Sequence, residues 1–297
     1  MTAGRLAHRA FCDKAHGTAV LAGESKVGES KVGESKGRES NGGLMDFLRS
    51  RASKFVKRAL ASRERVLHSS LRFGLDPIAD VIRLAAVWKY PIETIFDVGA
   101  NDGDTAIALL DAFPKARVLS FEPHPSTYAR LIARLGNRPH FEGFNLGMGA
   151  EVGDVEMIEY DESKTNSFTP DAQYAKRFGT EGRSIRVRVS VGEIFCEERG
   201  IDRIDLLKID TEGFDLVVLR GFAGMLERRA VRFVMVEFND LLPKEGVFGG
   251  ALLPFEELMR PFGYRFVAAY NDYISTRGEM FGVSNALFCL PGAADFA

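Results

Sequence analysis

The apolar positions of residues 92–290 come in short runs whose spacing alternates between two periods. Residues 92–99 (IETIFDVG) form a nearly continuous apolar, β-branched run that ends in glycine, the pattern of a strand buried on both faces. Residues 105–112 have helical spacing, and 117–121 (RVLSF) read as a second strand. Residues 126–135 predict a helix with Tyr128, Leu131, Ile132 and Leu135 on one face, and 141–146 predict a third strand. Residues 154–160 and 185–191 alternate in period two, the pattern of an inserted strand pair. A core strand follows at 204–209 (IDLLKI), then a helix at 216–228 and another buried strand at 232–237 (RFVMVE). A helix at 255–259 and strands at 264–269 and 286–290 complete the pattern. Strand–helix alternation predicts an α/β fold, a doubly wound, mostly parallel sheet with helices on both faces. Its ligand is then expected at the carboxyl ends of the strands, where the strand order reverses.

The first 90 residues lack this alternation. From Gly23 the chain reads GESKV, GESKV, GESK and GRES, a run of small and charged residues that cannot bury enough surface to offset the entropy of ordering. Residues 1–44 are therefore expected to be a disordered tail, with translation from Met45 as an alternative start. In residues 45–72 Leu48, Phe55, Val56, Leu60, Val66 and Leu67 recur at helical spacing, and eight Lys/Arg stand against Asp46 and Glu64. Such a basic amphipathic helix suits either weak peripheral contact with an anionic membrane surface or packing of its apolar stripe on the main domain. A second helix is expected over about 77–89. The organisation is thus a tail (1–44), an N-terminal helical segment (45–90) and an α/β domain (91–297).

Composition narrows the partners. The 297 residues carry a formal net charge of -2, against a partner that is recognised by phosphate neutralisation, so no nucleic acid is expected. Cys12, Cys196 and Cys289 lie far apart and His8, His16, His68, His124 and His140 never fall at ligand spacing, so no metal is expected. No apolar run reaches the roughly 20 residues that cross a bilayer. Thr18 to Gly23 is too short for the core of a signal peptide, and a cytoplasmic location is the expectation.

The strand ends carry the chemistry. The first strand runs into Asp97-Val98-Gly99-Ala100-Asn101-Asp102-Gly103-Asp104-Thr105. Counted from Gly99, the remaining glycines of a G-x-G-x-x-G dinucleotide fingerprint are replaced by Asn101 and Asp104, which argues against a nicotinamide-dependent oxidoreductase. Asp102 and Asp104 lie where a pyrophosphate would dock and would repel it. They tolerate a ligand with positive groups and no phosphate, and S-adenosyl-L-methionine (SAM) is such a ligand, with Asp97 placed to face its ammonium. Glu122, at the end of the second strand, is placed to accept ribose hydroxyls. His124 either lines an adenosine pocket or simply begins the next helix. Lys208-Ile209-Asp210-Thr211-Glu212-Gly213 clusters charges at the end of the next core strand, and Glu237 adds an acid from its neighbour. Capping explains one acid there, but a lysine in an apolar strand requires pairing.

Together DVGANDGDT, SFEPHP, IDLLKIDTEGFDLVVLRGF and VMVEFN, in this order, resemble the FkbM family of SAM-dependent methyltransferases. The resemblance implies a class I methyltransferase (Rossmann-like) fold and O-methylation of a hydroxyl on a sugar, glycan or polyketide-type small molecule. It places Asp97, Gly99, Asn101, Gly103 and Glu122 in the cofactor motif, and Asp210, Glu212 and Gly213 in the motif after the later core strand. The family often carries Thr-Leu-Asp ahead of IDLLKID, where Ser190-Val191-Gly192-Glu193 stands here. The chemistry expected is displacement at the SAM methyl carbon by a substrate hydroxyl, with Glu212 or Glu237 as general base and Asp210 nearer to the cofactor. A non-catalytic SAM-binding protein would keep the same cofactor residues. Residues 163–168 (SKTNSF) are candidates to line or close the acceptor site. A chain beginning at Met45 is expected to match the full chain in melting temperature and SAM affinity, and a clear loss of either would make the first 44 residues structural.

Overall fold

The computed structural model describes residues 73–159, 183–238, 251–275 and 281–292. The repeat of the first 44 residues, the basic helix at 45–72 and the polar insert at 163–168 lie outside the described residues.

The domain opens with α1 (Pro77–Val87), begun by Asp76, whose carboxylate accepts a hydrogen bond from the Ala79 N–H at 3.0 Å. Then follow β1 (Thr94–Val98), α2 (Asp104–Ala112), β2 (Arg117–Phe121), α3 (Pro125–Leu135) and β3 (Phe141–Phe144). After them come β4 (Gly147–Gly149), β5 (Gly153–Glu159) and β6 (Arg183–Val191). The remainder is α4 (Gly192–Arg199), β7 (Ile204–Ile209), α5 (Asp215–Arg220), α6 (Ala223–Glu227), β8 (Val231–Phe238), α7 (Leu252–Met259), β9 (Arg265–Ser275) and β10 (Phe281–Cys289).

Seven strands form one sheet in the order β3-β2-β1-β7-β8-β10-β9. The pairs from β3 to β8 are parallel, while β10 runs antiparallel to both β8 and β9. The order reverses between β1 and β7, the place where a doubly wound sheet opens at its strand ends. Each face carries its own apolar layer. Phe96, Leu119, Phe121, Leu207, Val234 and Phe222 pack on one side, and Ile95, Val118, Leu206, Phe233, Leu109 and Val81 on the other. Val81 and Ala85 place α1 in this second layer, so the second of the two helices expected in residues 45–90 shares the domain's core.

The sequence pattern and the fold differ in four places. The expected strand pair belongs to a second sheet, β4-β6-β5, in which the three-residue β4 pairs parallel to β6. A three-residue strand is too short to show a period. Helix α4 was not expected, because its apolar residues Ile194, Phe195 and Cys196 are consecutive rather than spaced by a turn. The helix expected over 216–228 is two helices. Between them the Gly221 carbonyl accepts the Glu193 N–H at 3.1 Å, and a Cβ on Gly221 would stand 2.0 Å from the Gly149 carbonyl oxygen. The break thus lies where α4 and β4 close on this turn. The last two strands are longer than expected, because their added residues 270–275 (YNDYIS) and 281–285 (FGVSN) are partly polar and interrupted by bulges.

Gly192 stands in the segment that differs from the family pattern. A Cβ there would lie 2.1–2.4 Å from three atoms of the fully buried Phe222 ring. Gly192→Ala is therefore expected to destabilise the domain by about 1–3 kcal/mol through overpacking. Urea unfolding checks this, and an unchanged midpoint would mean that the Phe222 ring moves aside freely.

Candidate functional site

The carboxyl ends of β1, β2 and β7 are locked together by backbone hydrogen bonds. The Phe121 carbonyl accepts from both Gly99 N–H and Ala100 N–H at 3.0 Å, and the Val98 carbonyl accepts from Asp210 N–H at 3.0 Å. Gly99 has φ +80°, and a Cβ on it would stand 1.7 Å from the Asp210 carbonyl oxygen, so only glycine fits. Gly103 has φ +88° and no room beside Leu131 and Leu135, where a Cβ would stand 2.6 Å from each side chain. Asn101 also takes a left-handed conformation, at φ +48°.

These turns frame a cleft of about 210 Å³, lined by Gly99, Asn101, Asp102, Asp104, Glu122, Lys208, Asp210 and Glu212 among others. Met148 of β4 and Met157 of β5 line it too, so the small second sheet supplies one wall. Neither methionine was foreseen, since an apolar residue in a strand reads as core. The alternation of β5 was the available signal, because it puts Met157 on the buried face.

Glu122 is 6% exposed, and its two carboxylate oxygens accept the N–H groups of Asn101 and His124, each at 2.9 Å. Burial pushes its carboxyl up to about 7 against the opposing pull of those two donors. Asn145, which sequence reasoning missed, donates from Nδ2 to the Glu122 and Pro123 carbonyls at 2.9 Å and fixes this turn. Asn101 Oδ1 is buried and has no hydrogen-bond partner among the described residues.

On the β1–β7 side Lys208 is almost fully buried. Its Nζ lies 3.1 Å from Asp210 Oδ2 and 3.4 Å from Asp97 Oδ1. Burial alone would lower the ammonium pKa, but the two carboxylates outweigh it and hold Lys208 charged. Beyond Asp210 the Asp215 carboxylate is fully buried. Asp215 accepts the Thr211 hydroxyl at 3.1 Å and the backbone N–H groups of Thr211 and Glu237 at 3.3 Å. Burial and the charges of Asp210 and Asp215 push Glu212 up to about 8, and Glu212 takes φ +51°. Burial and the charges of Asp210, Asp215 and Glu212 likewise push Glu237 well above the carboxylate range.

The structure divides the expected site residues. Gly99, Asn101, Glu122, Asp210 and Glu212 meet at the cleft. Asp97, Gly103, His124 and Glu237 are outside its lining. Asp97 is fully buried within β1, where it accepts the Ser120 hydroxyl at 3.3 Å and pairs with Lys208 rather than lining the cleft. His124 takes the helix-starting role. Its Nδ1 caps α3, with Ser126 Oγ at 3.1 Å and Thr127 Oγ1 at 3.2 Å, while its Nε2 meets Glu159 of β5 at 2.8 Å. Asp102 and Asp104 are not bare charges either, since Arg130 and Arg134 of α3 pair with them at 2.9 and 2.8 Å. These pairings offset the charge that was expected to repel a phosphate. Among the described residues no cluster of His, Cys, Asp and Glu is arranged to hold a metal ion, and no helix is long and apolar enough to cross a membrane.

Residues 97–266 match the family model of the methyltransferase FkbM domain. The hexuronic acid methyltransferase AglP of Haloferax volcanii is 30% identical over 164 residues, 54% of this chain and 62% of that protein. The match thus spans less than two thirds of that relative's length. The 2-O-methyltransferase NoeI of Sinorhizobium fredii is 25% identical over 69% of this chain and 88% of its own length. The 31-O-demethyl-FK506 methyltransferase FkbM of Streptomyces tacrolimicus is 29% identical over 60% of this chain and 75% of its own.

The raised Glu122 carboxyl gives a stability prediction. A carboxyl shifted from the ordinary 4.5 to about 7 binds more protons folded than unfolded, so its contribution is complete below pH 4.5 and is lost as pH rises through 7. Relative to the wild type, Glu122→Gln is expected to gain about 3 kcal/mol between about pH 4.5 and 7 and to hold that difference above. Denaturant unfolding of both proteins without cofactor at a series of pH values measures it, and a difference that is flat with pH would show that burial does not set this carboxyl.

Proposed function

The chain belongs to the FkbM methyltransferase family, and from that premise we propose that it is a SAM-dependent O-methyltransferase whose acceptor is a hydroxyl of a sugar, glycan or polyketide-type small molecule. One observation carries the reading of the site. The cleft lies where the strand order reverses and is lined by the buried Glu122 and the half-buried Asp210 and Glu212, while its one buried cation, Lys208, is shared by two carboxylates. Such a surface favours a cationic ligand, which draws these carboxyls toward their charged form.

The residues fit SAM. Glu122 has lone pairs left on each oxygen beyond its two backbone donors, enough for a pair of ribose hydroxyls. The orphaned Asn101 Oδ1 is an acceptor that waits for a donor. The Gly99 turn lets backbone, without side chain, form the floor. Met148 and Met157 supply an apolar wall from the second sheet. When bound, SAM supplies an electrophilic methyl group on a sulfonium leaving group.

The protein's own work is to position the acceptor and take its proton. Holding two reactants in line contributes about 7–11 kcal/mol of the barrier reduction. The hydroxyl becomes a competent nucleophile as its proton leaves, and Glu212 is the carboxylate placed at the cleft to receive it. Burial and its acidic neighbours hold Glu212 neutral near pH 7. A cationic ligand beside it favours the charged form, so the base becomes available when the cofactor is in place. Glu237 is off the cleft lining, and in this reading its part is to tune Glu212 through the shared charge field. Support for a hydroxyl acceptor comes from the relatives, which include a 2-O-methyltransferase and a 31-O-demethyl-FK506 methyltransferase.

Incubation with labelled SAM and a panel of sugar, glycan and polyketide alcohols tests the function. Transfer to a hydroxyl supports it, and transfer only to nitrogen or carbon acceptors overturns it. Glu212→Gln is expected to slow methyl transfer by about 10²–10⁴ with SAM affinity nearly intact, and Glu237→Gln to change the pH–rate profile with a smaller loss. A Glu212→Gln enzyme turning over at the wild-type rate would exclude this residue as the base.

A further inference from the structure

The amino end of β8 lies at the opposite edge of the sheet from the cofactor cleft. Arg232 and Glu237 stand at the two ends of this strand, about 17 Å apart at the rise of an extended chain. A cavity of about 520 Å³ opens at the Arg232 end, lined by Arg229, Arg232, Gly263, Arg265, Leu290, Pro291 and Gly292. Its charged side chains are arginines from three segments: the turn after α6, the start of β8 and the start of β9.

Each guanidinium is placed by a local feature. Arg229 takes φ +61°, a left-handed conformation that ordinarily favours glycine, and its guanidinium lies over Gly263. Gly263 has φ +95°, and a Cβ there would stand 2.6 Å from Arg229 Nη2, so the glycine makes the room that the arginine occupies. Arg232 stacks over the Tyr90 ring with Cζ 4.1 Å from its centroid, and its Nη1 donates to the Leu290 carbonyl at 3.1 Å. Arg265 donates from Nη1 to the Tyr264 carbonyl at 3.1 Å. Among the described residues no carboxylate lies within ion-pair distance of any of the three. Arg203, on the same edge, gives the contrast. It pairs with Glu93 and Asp205, each at 2.9 Å, as an arginine with a structural role does.

Three guanidiniums that line one cavity with no ion-paired carboxylate among the described residues repel one another, and a fork of N–H donors matches the oxygens of a phosphate group. We propose that this cavity is a second ligand site, remote from the methyl-transfer cleft, that binds a phosphate-bearing group. A soluble phosphorylated small molecule and a phosphorylated lipid headgroup share that chemistry. Nothing in this proposal depends on the identity of the methyl acceptor.

Calorimetry of the full chain with inorganic pyrophosphate at fixed ionic strength tests it, beside flotation with vesicles of phosphatidylcholine that contain phosphatidic acid. The expected result is saturable pyrophosphate binding, weakened at least tenfold by Arg229→Gln and by Arg265→Gln but unchanged by Arg117→Gln, whose arginine pairs with Glu142 on the surface. SAM affinity and unfolding midpoints should remain at wild-type values in both variants. Both substituted residues are exposed, so the test does not depend on Arg232, which packs on Tyr90. Vesicle binding that the same two substitutions abolish assigns the site to a lipid headgroup, and pyrophosphate binding without it assigns a soluble ligand. No saturable binding in either arm overturns the proposal, as does binding that Arg117→Gln weakens as much as the cavity variants.

Discussion

The buried ammonium of Lys208 is the constraint around which the site is built. It sits in the middle of a parallel sheet, in a strand that is apolar apart from it and Asp205, and it is tolerated because carboxylates on two segments share it. In the strand register Lys208 is opposite Asp97 of β1, and Asp97 is opposite Ser120 of β2. A single polar row therefore crosses three strands at the point where the sheet opens. A slip of one residue in either pairing would bury these charges against the apolar layer of the other face.

That row separates two kinds of acid. Asp97 and Asp210 neutralise the lysine, and both are spent on it. Burial raises the carboxyls of Glu122, Glu212 and Glu237, and it raises Asp97 as well, against the pull of Lys208. A cationic ligand beside such carboxyls favours their charged form. Stability and ligand affinity are opposed here, as expected where clustered charges are kept for a task and not for the fold.

The two ends of the sheet contrast in charge. The carboxyl ends of β1, β2 and β7 collect acids beside tight left-handed turns. At the amino end of β8 arginines gather beside Arg229 and Gly263, which are also left-handed. In both places backbone strain is accepted in order to aim a side chain or to clear a space. Between them lie two apolar layers. In one, Phe96, Phe121 and Phe195 meet with ring centroids 4.9–5.9 Å apart. This rigid packing lets turns at either edge hold their geometry.

How much of this the sequence determined by itself depends on the range of the interaction. Strand and helix periods are local, so the alternation from β1 through β8 and the fold class were legible in the order of apolar residues. Gly99, Glu122 and the IDTEG segment were legible as site residues because each ends a core strand, and a parallel sheet sends all such ends to one edge. Direction of a side chain and the identity of its partner are not local. Asp97 and Glu122 both read as acids at strand ends, and the pleat turned one to a buried lysine and the other to the cleft. His124 could cap a helix or line a pocket, and Glu159, far along the chain on β5, decided for the cap. The second sheet, its two methionines at the cleft and the broken helix around Gly221 depend on segments brought together from 24 to 72 residues apart. Only the tertiary structure decided those, because steric exclusion and charge compensation act between neighbours in space and leave no period in the chain.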